Sequence, residues 1–143
     1  MQAENLGVDK ELFEYVAESV TQSPFYNLIG VSHISLGPGS AEMIVTAGRQ
    51  HTNPVDLVHG GLIMSIADAA MANSVRSMGV RPVTVDCSTS FLASAEFGKD
   101  IITRGKVIKR GKNLLFAEAD VWSEGILIAT AKATFFNIGD IKV

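Results

Sequence analysis

Apolar residues along this chain repeat with two different periods. Between residues 9 and 22, Leu12, Val16 and Val20 recur every four positions with Phe13 and Ala17 beside them, which predicts an amphipathic helix with Asp9 as its N-cap. Ser23-Pro24 is expected to stop that helix. Two short strands follow, Leu28 to Leu36 and Ala41 to Thr46, separated by the turn formers Gly37-Pro38-Gly39-Ser40. Residues 59–77 are rich in helix formers and apolar on nearly every side, from Leu62 and Ile63 through Met71 to Val75, and so predict a long helix buried all round.

After that helix the period becomes two. Val83, Val85, Cys87, Thr89 and Phe91 fall on one face of a predicted strand, and Thr84, Asp86, Ser88 and Ser90 on the other. Three more strand-like runs, near 101–109, 113–122 and 126–136, are joined by turn signals at Arg110-Gly111 and Ser123-Glu124-Gly125, so they should pair antiparallel. The sum is an α+β chain with a predominantly antiparallel sheet curved around one long helix and a second helix at the amino-terminal end. No linker, repeat or low-complexity stretch breaks the pattern, and residues 1–143 are read as one domain.

Composition narrows the partners. Twelve Lys and Arg against 15 Asp and Glu leave a net charge of -3, which offers no broad field for nucleic acid or an anionic membrane. An anionic ligand therefore needs a local cluster. Lys106, Lys109, Arg110 and Lys112 form one around a predicted hairpin turn, suited to phosphate, with a merely solvated turn as the alternative. Cys87 is the only cysteine and has no intrachain partner. The amino-terminal Met1 to Leu6 stretch has neither the basic start nor the apolar run of a signal peptide, and no run approaches the ~20 apolar residues of a membrane span. A cytoplasmic, reducing location is expected. His33, His51 and His59 lack metal-ligand spacing, and neither a Gly-x-Ser-x-Gly elbow nor a Walker-type loop occurs, so no metal and no nucleotide hydrolysis are expected.

The position richest in chemical content is Asp68, which interrupts the apolar helix between Ile66-Ala67 and Ala69-Ala70. Burial there is costly for a charge and raises the carboxyl pKa, which makes a better base or nucleophile. A hydrogen-bonded structural aspartate is the plainer alternative. At the start of the same helix, His59-Gly60-Gly61 presents backbone N–H groups with no helical acceptor, a place for an oxyanion or phosphate. Asn53, in the loop before it, can add a side-chain amide or can simply be a turn residue ahead of Pro54. Thr84, grouped by the alternation with Asp86 and Ser88, can orient a water or steady Asp68. Gly60 and Asp68 are eight residues apart, about 12 Å along a helix, so one reacting carbonyl cannot touch both. If both serve one site, a second copy of the helix must lie antiparallel beside the first, which predicts a two-fold dimer.

The run His59-Gly60-Gly61-Leu62-Ile63-Met64-Ser65-Ile66-Ala67-Asp68 closely resembles the helix signature of hotdog-fold thioesterases of the phenylacetate-degradation type. Likeness extends to Asn53, Val83-Thr84-Val85-Asp86, Arg110-Gly111-Lys112 and the closing Ala129 to Phe135 run. The resemblance implies a hotdog fold and hydrolysis of an acyl-CoA thioester carrying an aryl or short- to medium-chain acyl group. By the same resemblance Asp68 is general base or nucleophile, Gly60 and Asn53 polarise the carbonyl, and Thr84 stands where the family has a water-positioning serine. His59 orients the helix-start loop; Gly61, Lys109, Arg110, Gly111 and Lys112 are assigned to the CoA portion. Coenzyme A enters as part of the substrate and no other cofactor is implied. An active site across a dimer interface, and commonly a tetramer of two dimers, also come with the family. Hydratases of this fold carry Asp followed five residues later by His, a pair missing here. The rival of another class is a non-catalytic acyl-CoA binder using the same pocket.

Overall fold

A computed structural model describes residues 2–143; Met1, which opens the amino-terminal stretch read above, lies outside them. Its helices are α1 (Lys10–Gln22), α2 (Pro24–Ile29) and α3 (Gly60–Arg76), and a 3-10 turn spans Arg49–His51. Its strands are β1 (Glu4–Asn5), β2 (Ser32–Gly37), β3 (Ser40–Thr46), β4 (Val80–Phe91), β5 (Asp100–Arg110), β6 (Leu114–Ser123) and β7 (Ile126–Asp140).

The first helix begins as its pattern requires. Asp9 accepts a hydrogen bond from the Leu12 N–H at 3.4 Å, and Val16 and Val20 are buried. Ser23-Pro24 does end α1, but it also opens α2, which takes in Leu28 and Ile29, the first two residues of the expected Leu28–Leu36 strand. Proline at the first helical position surrenders no hydrogen bond, and the Ser23 hydroxyl accepts from Tyr26 N–H at 3.3 Å. Gly30 closes α2 in the left-handed region at φ 81, so the strand begins at Ser32 rather than Leu28.

The seven strands form one sheet in the order β1-β2-β3-β5-β6-β7-β4. β1 runs parallel to β2; every other neighbouring pair is antiparallel. Across the middle of the sheet, the paired residues Ala41, Gly105, Ala119 and Ala131 make a row of small side chains. α3 sits there. A Cβ on Gly105 would lie 2.7 Å from the carbonyl carbon of Ala70, so glycine is what lets the helix backbone approach the sheet. Ile66, Met71, Val75, Leu115, Ile128 and Phe135 fill the space between, each such burial contributing about 1.5–3 kcal/mol. A second cluster, Val8, Val16, Leu36 and Ala41, fixes α1 against the sheet.

α3 departs from the expected all-round burial. It is not covered all round in the protomer: Gly60, Met64, Asp68, Ala72 and Arg76, spaced every four residues, form a stripe that stays partly open, with Met64 42% exposed. A four-residue spacing keeps these positions on one helix face, and that face lies away from the sheet. Beside it runs β4, an edge strand whose far side has no partner among the described residues and whose Val83, Val85 and Phe91 are exposed. No helix among the described residues is long and apolar enough to cross a membrane.

Candidate active site

Asp68 is half-buried on the open stripe of α3, and the Thr84 hydroxyl of β4 donates to its Oδ1 at 2.8 Å. This contact depends on a departure from strict alternation. Thr84 pairs with Phe135 and Asp86 with Thr134, so Val85 is an extra, bulged residue. Counting by twos groups Thr84 with Asp86 and Ser88, on the face away from the helix. The bulge reverses that: Thr84 shares the side of buried Phe135, as Cys87 shares that of Ala133. Burial pushes the Asp68 carboxyl above its ordinary range, and the Thr84 hydrogen bond partly offsets this by favouring the ionised form. Asp68 and Thr84 line a groove of about 480 Å³ between α3, the start of β4 and helices α1 and α2.

Asn53 and Gly60 line a different groove, of about 310 Å³, with Ile63 and Phe91. The Asn53 Oδ1 accepts from the N–H groups of Val55 at 3.0 Å and Leu57 at 3.1 Å. Both bonds hold the carbonyl end of the amide in the turn, while the Nδ2 donors have no acceptor among the described residues. His59 caps α3: its Nδ1 accepts from Gly61 N–H at 2.7 Å, and its own N–H donates to the His51 carbonyl. The Gly61 N–H is thus occupied within the chain. That of Gly60 has no acceptor among the described residues, and a Cβ at Gly60 would stand 3.2 Å from the Phe91 ring. One backbone donor and one amide group without an acceptor among the described residues therefore line one groove, the kind of donor pair that can hold an oxyanion.

Of the residues read from the sequence, the protomer brings Asp68 to Thr84 and Asn53 to Gly60, but does not bring the two pairs together. Lys109, Arg110 and Lys112 are exposed at the β5–β6 turn and line neither groove. Arg110, Leu115, Phe135 and Thr84 occupy one cross-strand row, so the turn lies at the Thr84 end of the sheet, three strands or about 14 Å away. Gly111 N–H donates to the Leu114 carbonyl, which shapes the turn. Lys106 is engaged elsewhere, 3.2 Å from Glu118.

Arg76 and Tyr26, neither of them a candidate from the sequence, share the Asp68 groove. Arg76 reads as an ordinary last-turn cation of a helix. Its one signal was the spacing of eight residues from Asp68, the same face two turns on.

Residues 56–130, more than half of the chain, match the thioesterase superfamily model, a span holding Gly60, Asp68, Thr84 and the basic turn. The chain belongs to the thioesterase superfamily, and at the level of that family it is a thioester hydrolase with the hotdog fold. Acyl-coenzyme A thioesterase 13 of Homo sapiens is 28% identical over 130 residues, covering 87% of this chain and 93% of the relative. The PaaI protein of the E. coli phenylacetic acid degradation operon superposes with a TM-score of 0.88 over 94% of this chain and 99% of its own, at 21% identity. The smu.793 protein of Streptococcus mutans, whose structure is bound to acetyl CoA, superposes at 0.76 over 78% of this chain and 91% of its own, at 22% identity.

Proposed function

We propose that this protein hydrolyses acyl-CoA thioesters bearing an aryl or short- to medium-chain acyl group, at a site completed by a second copy of the chain. The observation that carries this reading is the division of the machinery between two grooves on one helix: a raised carboxylate in one, two unoccupied donors in the other. On an antiparallel partner, Asp68 of one copy comes opposite Gly60 of the other. The open edge of β4 and the uncovered α3 stripe give that partner its surface.

In the mechanism, Gly60 N–H and Asn53 Nδ2 hold the carbonyl oxygen as it gains charge. Asp68 from the other copy takes a proton from water as the water oxygen attacks the carbonyl carbon, or attacks that carbon itself to form an anhydride that water then cleaves. Either way the C–S bond breaks and the thiolate leaves as CoA. Thr84 holds the carboxylate in place, and His59 holds the helix-start loop. Lys109, Arg110 and Lys112, on the turn shaped by Gly111, take the CoA phosphates. Coenzyme A is part of the substrate and no further cofactor takes part. The relatives' names and the CoA-bound neighbour support this substrate class. The exposed cross-strand row Val83, Phe136 and Leu114 suits packing of two dimers into a tetramer. A cytoplasmic location agrees with the free thiol of Cys87.

The test is release of free thiol from a panel of acyl-CoAs by the purified protein and by Asp68→Asn. Turnover that falls about 10²–10⁴-fold in the variant supports the reading. Tight binding with no thiol released by either protein indicates the non-catalytic binder, and turnover unchanged by the substitution removes Asp68 from the mechanism.

A further inference from the structure

The groove holding Asp68 continues along α3 past Ala72 to Arg76. Alanine leaves the way between them clear. Arg76 is half-buried, donating from Nη1 to Asn73 Oδ1 at 2.8 Å and from Nη2 to Ser19 Oγ at 2.6 Å. A guanidinium has five N–H donors, so most remain unused. It makes no ion pair with any described carboxylate, and Asp68 is bonded to Thr84 instead. A partly desolvated cation without a counter-charge is costly. Tyr26 adds a further donor: its oxygen accepts from Asn73 Nδ2 at 3.2 Å, and its own O–H has no acceptor among the described residues. The far end of the groove therefore offers donors and positive charge.

We infer that this groove receives the acyl group and selects one whose far end is a carboxylate, held by Arg76 with Tyr26 beside it: an ω-carboxyacyl-CoA. This rests on the proposed hydrolysis at Asp68. The two residues are separated by eight positions, about 12 Å along the axis, and long side chains on a helix tilt toward its N-terminus, which for Arg76 is the Asp68 end. A chain of a few methylenes fits between the thioester and the terminal carboxylate. Hydrolysis consumes one water: its oxygen joins the carbonyl carbon, the C–S bond breaks, and a free dicarboxylate and CoA thiol result. Arg76 is a specificity residue in this scheme and takes no part in bond breaking.

The experiment compares kcat/KM for chain-matched pairs, glutaryl- against valeryl-CoA and adipyl- against hexanoyl-CoA, in wild type, Arg76→Met and Arg76→Lys. Wild type should favour the carboxylated member of at least one pair by about tenfold or more, the scale of a charge-assisted hydrogen bond. Arg76→Met should erase that ratio, chiefly through KM, and Arg76→Lys should keep part of it. If Arg76→Met does not fold, the wild-type ratio and Arg76→Lys decide. A wild-type preference for the uncharged member of both pairs, or a ratio that survives in Arg76→Met, overturns the inference while leaving hydrolysis at Asp68 standing. No thiol release from any of the four, nor from the wider panel, overturns both.

Discussion

The Thr84 hydroxyl meets Asp68 Oδ1 at 2.8 Å only because Val85 is bulged out of the β4–β7 ladder. One extra residue turns a polar side chain from the outer face of the sheet to the helix, and so sets the environment of the single carboxylate on the α3 stripe.

That bond has a predictable effect on pH dependence. Burial raises the Asp68 carboxyl and the Thr84 bond lowers it, and Asp68 must be ionised to act as base or nucleophile. Thr84→Val removes the lowering contribution, so the acid limb of the kcat/KM profile should move to higher pH, with the loss of rate greatest on the acidic side. Thr84→Ser should bring the limb back. A limb that stays fixed in Thr84→Val would separate Thr84 from the titration of Asp68.

Asn53→Asp isolates the amide donor. The new carboxylate still accepts the Val55 and Leu57 N–H bonds that shape the turn, but it replaces the Nδ2 donors with an oxygen. The thermal midpoint should change little, while kcat falls about 10²–10³-fold, as for loss of one oxyanion donor. Equal losses of stability and rate would make Asn53 a turn residue only.

Much of this architecture is legible in the residues themselves. Asp9 caps α1 and His59 caps α3, where their patterns begin, and the β5–β6–β7 meander follows from its turn signals. Three features were not. Ser23-Pro24 ends α1 as expected, yet proline serves equally to start a helix when a serine precedes it, so α2 is not signalled. The Val85 bulge is invisible to a period-two count, because a bulged residue costs one position and leaves no compositional mark. Arg76 shares a helix face with Asp68, but its partner Ser19, and Tyr26 on the adjoining Asn73, come to it from more than 40 residues away in α1 and α2. Local pattern carries elements and caps; it does not carry register shifts or which side chains meet across elements.

His33 on β2 should make stability fall in mild acid. It is buried, neither ring nitrogen has a partner among the described residues, and burial together with the nearby positive charge of Arg76 lowers its pKa to about 4. The unfolded chain binds a proton there near the ordinary value of about 6.5. The unfolded state thus holds more protons between those values, so the stabilisation is complete above pH 6.5 and is lost as pH falls toward 4. The full span is worth roughly 3 kcal/mol. Thermal melts at pH 7 and pH 5 should show a larger drop for wild type than for His33→Leu. Equal drops would mean that His33 protonates in the folded state without cost.

Asn53→Asp and Asp68→Asn should each be nearly inactive, yet their mixture should recover activity after the subunits are allowed to exchange. A site shared between two copies takes Asn53 and Gly60 from one chain and Asp68 with Thr84 from the other, because about 12 Å of helix separates Gly60 from Asp68 in each. In a mixed dimer one of the two sites then joins an unaltered Asn53 to an unaltered Asp68, while the other carries both changes. Random pairing makes half of the dimers mixed, so thiol release should return to roughly a quarter of the wild-type rate. A site built within one chain has no intact copy in any pairing, and the mixture would stay as inactive as its parts.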